Sequence, residues 1–175
     1  MMKKILTVAA ALFFAVLLYG AVDIPVLDRI PGHRVIFSYS METLRGGEKS
    51  DVTSGTAVVE DNSFKVSGFG IKVYSDGKTL WMVDEQAEEV VIQDVDPEDF
   101  QSNPVLIITG YKSLGDRLKV NSATDSSLDV TLTVDDDCTM RFIVKDIRMT
   151  EKAGTEDMLF DVSALPSSYV ITDLR

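Results

Sequence analysis

From Pro31 onward the chain is patterned with a period of two. Val35, Phe37, Tyr39 and Met41 alternate with Ile36, Ser38, Ser40 and Glu42, the pattern of a strand with one face buried. The same alternation returns in Leu128, Val130, Leu132 and Val134 against Asp129, Thr131, Thr133 and Asp135. After a short acidic turn it continues in Met140, Phe142 and Val144, so these segments predict a hairpin. Further strands are expected at 52–60, 64–75 with a break at Gly68 to Gly70, 79–84, 88–93, 117–121, 156–162 and 168–172. Gly46-Gly47, Asp76-Gly77 and Gly115-Asp116 punctuate the strands, and such pairs supply the positive φ values of tight turns and bulges. The order is that of an antiparallel meander, with no repeat, low-complexity tract or linker to divide it.

Two segments lean toward helix. Asp96 to Ser102 carries Pro97 at a place suited to a first helical position, and a second begins at Asn103, which can cap, with Pro104 in the first turn. Val105 to Ile108 is rich in β-branched residues and fits a strand equally well. We read it as helix.

The N-terminus begins Met1-Met2-Lys3-Lys4, runs apolar from Ile5 to Tyr19 with only Thr7 interrupting, and reaches the small pair Gly20-Ala21. A basic start, a short apolar run and small residues make a signal peptide. A transmembrane helix needs about twenty apolar residues, and here Asp23, Pro25 and Asp28 follow in place of a basic flank. Cleavage after Gly20 or Ala21 is expected, giving a signal segment at 1–21 and one domain at 22–175; a retained anchor is the alternative. No cysteine stands at the end of the signal segment to take up a lipid, so the mature form is expected to be soluble; a periplasmic location and a monomeric state are expected besides. Cys138 is the sole cysteine and cannot form an intramolecular disulfide. Stability must then come from a core, which about 155 residues are enough to build.

Loss of Lys3 and Lys4 with the signal takes the formal charge from −11 to −13. Nucleic acid and anionic membrane surfaces repel such a chain, so no nucleic-acid partner is expected. The acidic residues are dispersed rather than gathered into a tail.

The most specific string is Ser75-Asp76-Gly77-Lys78-Thr79-Leu80-Trp81, set between Ile71 to Tyr74 and Glu88 to Gln93. By itself it is a good hairpin. With its neighbours it resembles the outer-membrane lipoprotein carrier family, LolA. Other landmarks come in matching order: the aromatic strand Val35 to Met41, the small residues of Gly55 to Val59, Phe64 opening the next strand, and Asn103-Pro104 before an apolar segment. Phe160, Leu165-Pro166 and Val170-Ile171-Thr172-Asp173-Leu174-Arg175 close the series. The resemblance covers nearly the whole mature chain.

It implies a mainly β fold, a half-open antiparallel β-barrel with a small helical lid, and a hydrophobic concavity that accepts acyl chains. It also implies a carrier without enzymatic activity or cofactor, taking acylated lipoproteins from an inner-membrane exporter complex to an outer-membrane acceptor. The alternative use of the same half-barrel is a sensor or regulator that binds a protein partner. Candidate lipid-binding residues are Phe37, Tyr39, Met41, Val58, Phe64, Val66, Leu80, Met82 and Phe142, with Val105, Leu106 and Ile108 as lid residues. A strand face that lines a cavity and one that packs on a helix look identical in sequence. Trp81 has the opposite parity to Leu80 and Met82, and the sequence leaves open which set faces inward.

Two departures stand out. Where the family has an arginine that helps control the lid, shortly before the strand that begins at Phe64, this chain has Glu60 in Val59-Glu60-Asp61-Asn62-Ser63-Phe64. The family's longer first helix is replaced by the short stretch Val22 to Arg34, broken by Pro25 and Pro31, so a smaller lid is expected.

Sharper chemistry finds little support. His33 is the single histidine and has no nucleophile elbow to serve. Asp135-Asp136-Asp137 lacks the glycine and spaced carboxylates of a calcium loop. Gly68-Phe69-Gly70 lies between strands, with no helix following to receive a phosphate, and reads as a bulge or bend.

Overall fold

The period of two folds into strands of a single curved sheet that does not close. The computed structural model describes residues 23–175 apart from Phe69, Gln101, Ser102 and Pro104; the expected signal peptide lies outside the described residues. The ten strands are β1 Arg34–Arg45, β2 Glu48–Glu60, β3 Ser63–Gly68, β4 Ile71–Ser75, β5 Thr79–Asp84, β6 Glu89–Asp94, β7 Leu118–Ala123, β8 Leu128–Thr133, β9 Cys138–Thr150 and β10 Val170–Asp173. Their order across the sheet is β10-β6-β5-β4-β3-β2-β1-β9-β8-β7.

The expected meander holds within β1 to β6 and again within β7 to β9. It breaks between β6 and β7, where the chain leaves one side of the sheet and begins again at the far border, so that β9 pairs with β1. It breaks a second time at the C-terminus, where β10 lies parallel to β6. Parallel pairing requires a crossover, and the chain after β9 provides it.

That crossover corrects the strand expected at 156–162. Glu156–Met158 and Val162–Ala164 are 3-10 turns. Met158 is fully buried, while the Asp161 carboxylate accepts from the Ser163 amide and starts the second turn. The helix expected at 96–102 is likewise absent from the described part of that segment. Asp96 accepts from the Glu98 amide at 2.9 Å, and this local side-chain bond competes with helix; Ser102 lies outside the described residues. The helix expected from Asn103 is present as α2, Val105–Thr109, with Pro104 outside the described residues. Ahead of it stands α1, Pro25–Asp28, a single turn begun by Pro25.

Close backbone approaches bend the sheet. Gly55 and Gly68 face one another across β2 and β3; a Cβ on Gly55 would lie 1.9 Å from the Ser67 carbonyl oxygen. Tyr39 is in register with Gly55, and its hydroxyl would stand 3.1 Å from a Cβ on Gly68, so an aromatic side chain covers the bare backbone. On the other side of β1 the pairing with β9 slips between Ile36 and Ser38. Asp146 there has φ of 56° and accepts from the Ser38 hydroxyl at 2.9 Å; such a bulge bends its strand and increases twist.

The two faces carry separate cores. The inner face contributes Phe37, Val59, Phe64, Leu80, Leu132 and Phe142 to one large cluster. The outer face carries a smaller one, Val83, Val90 and Ile92, against which Tyr74, Trp81, Phe160, Leu165 and Tyr169 pack. This settles the parity: Leu80 and Met82 belong to the inner cluster, Trp81 to the outer. The chain from Glu151 to Tyr169 forms an outer strap, with Phe160 and Tyr74 ring centroids 5.1 Å apart.

Candidate functional site

The inner face is apolar because β1 places Val35, Phe37, Tyr39 and Met41 on it, and β9 adds Met140, Phe142 and Val144 in the matching register. Tyr39 and Phe142 rings lie 5.6 Å apart. Burial pushes the Tyr39 phenol above its ordinary pKa. Among the described residues no second sheet covers this surface. Short helical pieces do: α1 and the turn after it, α2, and the 3-10 segment Tyr111–Arg117, kinked at Gly115. Leu27, Ile30, Val105, Ile107, Ile108, Tyr111 and Leu114 join the same cluster as the strand residues. The concavity is therefore filled by these helical pieces, which form its cover.

Polar contacts fasten that cover at its surface. Asp28, at the end of α1, accepts from the Tyr111 hydroxyl at 2.7 Å and pairs with the Lys112 ammonium. The Lys112 hydrogen bond, followed by those from Tyr111 and Asp23, brings the Asp28 carboxyl down to about 2. Asp23 is displaced upward, chiefly because it shares a hydrogen bond with Asp28. Lys112 is held above the usual lysine range by Asp28. Arg29 reaches the β7–β8 turn at Asp125, 2.8 Å away. His33 Nδ1 contacts the Arg29 carbonyl at 2.8 Å, the satisfied local role for which nothing catalytic need be invoked.

Two clefts flank α2 at the rim of the curved sheet. One, about 420 Å³, is lined by Leu27, Ile30, Pro31, Asp61, Asn62, Ile108 and Thr109. The other, about 380 Å³, is lined by Asn62, Phe64, Gly77, Val95, Pro97, Leu106 and Thr109. Asn62 and Thr109 are common to both. Each volume falls in the range of about 300–1,000 Å³ typical of small-ligand clefts.

The turn that forms one wall explains the most specific string in the sequence. Ser75 accepts from the Gly77 amide and donates to the Thr79 carbonyl. Asp76 accepts from the Lys78 and Thr79 amides at 2.9 and 2.7 Å. Gly77 has φ of 88°, and a Cβ there would lie 2.6 Å from the Asn62 Cβ. Ser-Asp-Gly thus serves a tight turn pressed against the β2–β3 turn, and its place at the cleft follows from that packing.

Of the residues expected from the sequence, Phe64, Leu106 and Ile108 line the clefts directly. Phe37, Tyr39, Met41, Val66, Leu80 and Phe142 lie in the inner cluster beneath the helical cover, to which Val105 contributes from α2, with Met82 partly buried against it. Val58 does not belong with them. It pairs with Ile36 and Lys65 between the buried Ala57 and Val59, and the pleat sends it to the outer face. Leu27, Ile30, Asn62 and Thr109 were not expected at the site, because turns bring them there and no periodicity marks them.

Glu60 occupies a different kind of site. It is buried, and its carboxylate accepts from the Ala153 and Gly154 amides at 3.1 Å each. Arg34 lies 3.5 Å from it, donates to the Gly154 carbonyl at 3.0 Å and pairs with Asp157. Asp157 is held below the usual carboxylate range by Arg34. Glu60 is therefore a buried acid that fastens the outer strap.

Among the described residues no group of three His, Cys, Asp or Glu side chains is placed to hold a metal, and no helix is long and apolar enough to cross a membrane. No protein-family model matches the chain, and no curated protein does. Among solved structures it is similar to an uncharacterized conserved protein from Thermus thermophilus, at 10% identity over 85% of this chain and 96% of that one, with a TM-score of 0.45.

Proposed function

We propose that this protein is a periplasmic carrier of the LolA type, which holds the acyl chains of lipoproteins against the inner face of its half-barrel between an inner-membrane exporter and an outer-membrane acceptor. The observation that supports this most is the way the apolar inner face is covered: by one-turn helices pinned at their surface, with clefts on both sides of α2. An ordinary core buries such a face under a second sheet or under regular helices, whereas here the cover is a set of short helical pieces.

The energetics suit the task. Each methylene exposed to water costs about 0.8 kcal/mol, so a chain of roughly fifteen carbons loses on the order of 10 kcal/mol on leaving a membrane unaided. A carrier must cover that surface and then give it up. A lid that fills the hollow when empty does both, because its side chains occupy the hydrocarbon's place without leaving a void, and the incoming chain replaces them. Uptake then requires α1 and α2 to move, beginning at the rim clefts.

The experiment is a fluorescent palmitoyl probe titrated into the purified mature protein, together with extraction of a lipoprotein from membranes. Saturable binding and extraction are expected. Absence of saturable binding to any acylated ligand overturns the reading.

A further inference from the structure

The borders of the sheet are treated very differently. A border strand offers unpaired backbone groups to any passing strand, and proteins blunt it with lysine, proline, bulges or cover. At β7 these devices are present: Lys119 stands on the strand, and the pairing slips between Val120 and Ser122. β10 is short and carries the charge of Asp173, but the other devices are missing. Val170–Asp173 contains no lysine or proline, its pairing with β6 is regular, and all of its residues are exposed, Val170 at 57% and Ile171 at 46%.

The hydrogen bonds fix which groups are free. Val170 N–H donates to the Glu88 carbonyl at 2.9 Å and Leu174 N–H to the Ile92 carbonyl at 2.8 Å. Bonding alternates along a strand, so the amides of Ile171 and Asp173 point away from β6. The surroundings are acidic at both ends. Glu88 and Glu89 flank Val170; at the other end Asp173, Asp94 and Asp76 all act on Arg175, with Lys78, in the turn before β5, the further cation, its carbonyl accepting from the Val95 amide. A second copy would bring the same acids to the contact, on a chain of formal charge −11.

We propose that the outer edge of β10 receives an extended segment of a partner protein, apolar at alternate positions and basic at its ends, as an added strand. Backbone pairing supplies the affinity, and the Val170 and Ile171 side chains, on opposite faces, set the preference for apolar residues. The inference rests on the sheet border alone and is independent of hydrocarbon uptake.

The probe is a labelled peptide, Lys-Val-Thr-Val-Thr-Val-Lys, compared with its counterpart ending in glutamate. Anisotropy measures binding to the mature protein, and amide hydrogen exchange reads Ile171 and Asp173. Saturable binding that weakens with salt, slower exchange at those amides and weaker binding of the glutamate-ended peptide are expected. Ile171→Pro removes an outward donor while leaving the bonds to β6, since proline is tolerated on an edge strand. It should weaken binding roughly tenfold, the scale of one lost hydrogen bond with added ring contact, at unchanged thermal stability. If that variant is itself less stable, Val170→Lys decides, because it keeps every backbone bond and repels the basic peptide. The proposal is overturned if exchange at Ile171 and Asp173 is unaltered by saturating peptide. Equal binding of the glutamate-ended form overturns it too, as does a concentration-dependent dimer that protects the same amides, which would assign the edge to a second copy.

Discussion

Arg34→Met tests whether the outer strap is held by a buried charge network. The Arg34 side chain is 13% exposed and Glu60 only 3%. Removing the guanidinium strands the Glu60 carboxylate in a site that water hardly reaches. Losing one partner of a buried ion pair costs about 3–5 kcal/mol. The Ala153 and Gly154 amides still donate to Glu60, and Asp157 is half exposed, so the lower end applies, about 3 kcal/mol. For a chain of this size that corresponds to a fall in Tm of roughly 6–12 °C. Urea unfolding at pH 7, followed by circular dichroism, should give the loss with an unchanged m-value. Combined with Glu60→Gln, the total loss should be smaller than the sum of the single losses by at least about 1 kcal/mol, because the stranded charge is already gone. A loss below about 1 kcal/mol for Arg34→Met, or strict additivity in the double variant, refutes the reasoning.

The remaining expectations concern the lid and the sheet. Thr109→Trp places an indole where the two clefts meet, on an exposed residue; palmitoyl-probe uptake should fall while urea stability stays within about 0.5 kcal/mol. Asp28 is held at about 2 by Lys112 and Tyr111, so its contribution to the closed lid is complete above the ordinary carboxylate value near 3.9 and is lost as pH falls toward about 2. Asp23, displaced upward, acts in the opposite sense. Amide exchange of Val105 to Thr109 should accelerate across that acid window, and Asp28→Asn should remove the acid dependence by making exchange fast throughout. Gly55→Ala drives a Cβ to 1.9 Å from the Ser67 carbonyl oxygen; a loss of about 1–3 kcal/mol is expected in urea unfolding, and full stability would show that the β2–β3 approach can relax.

The strands were legible where one face alone is apolar. Phe37 to Met41 and Leu128 to Leu132 alternate cleanly, and the pleat turns that alternation into inner and outer faces without further information. Val58 was misplaced because Ala57, Val58 and Val59 are all apolar, so the residues give no parity there; pairing with Ile36 and Lys65 decides it. The segment 156–162 looked like a strand because Met158, Leu159 and Phe160 are apolar, yet each is held differently: Met158 is fully buried, Leu159 is 48% exposed and Phe160 packs on Tyr74. The parallel pairing of β10 had no local signal, being fixed by a contact between residues some eighty positions apart. At the site, the strand residues Phe37, Phe64 and Phe142 could be found from periodicity. Leu27, Asn62 and Thr109 could not, because their meeting depends on how turns and lid pieces dock.

Photocrosslinking from a palmitoyl chain carrying a diazirine near its end, bound to the mature protein, addresses most directly whether hydrocarbon displaces the lid from the inner face. Crosslinks at Phe37, Phe142 and Ile108, one chain per protein molecule, are expected. Crosslinks confined to the outer strap, or an inner face untouched at saturating probe, would contradict the carrier assignment.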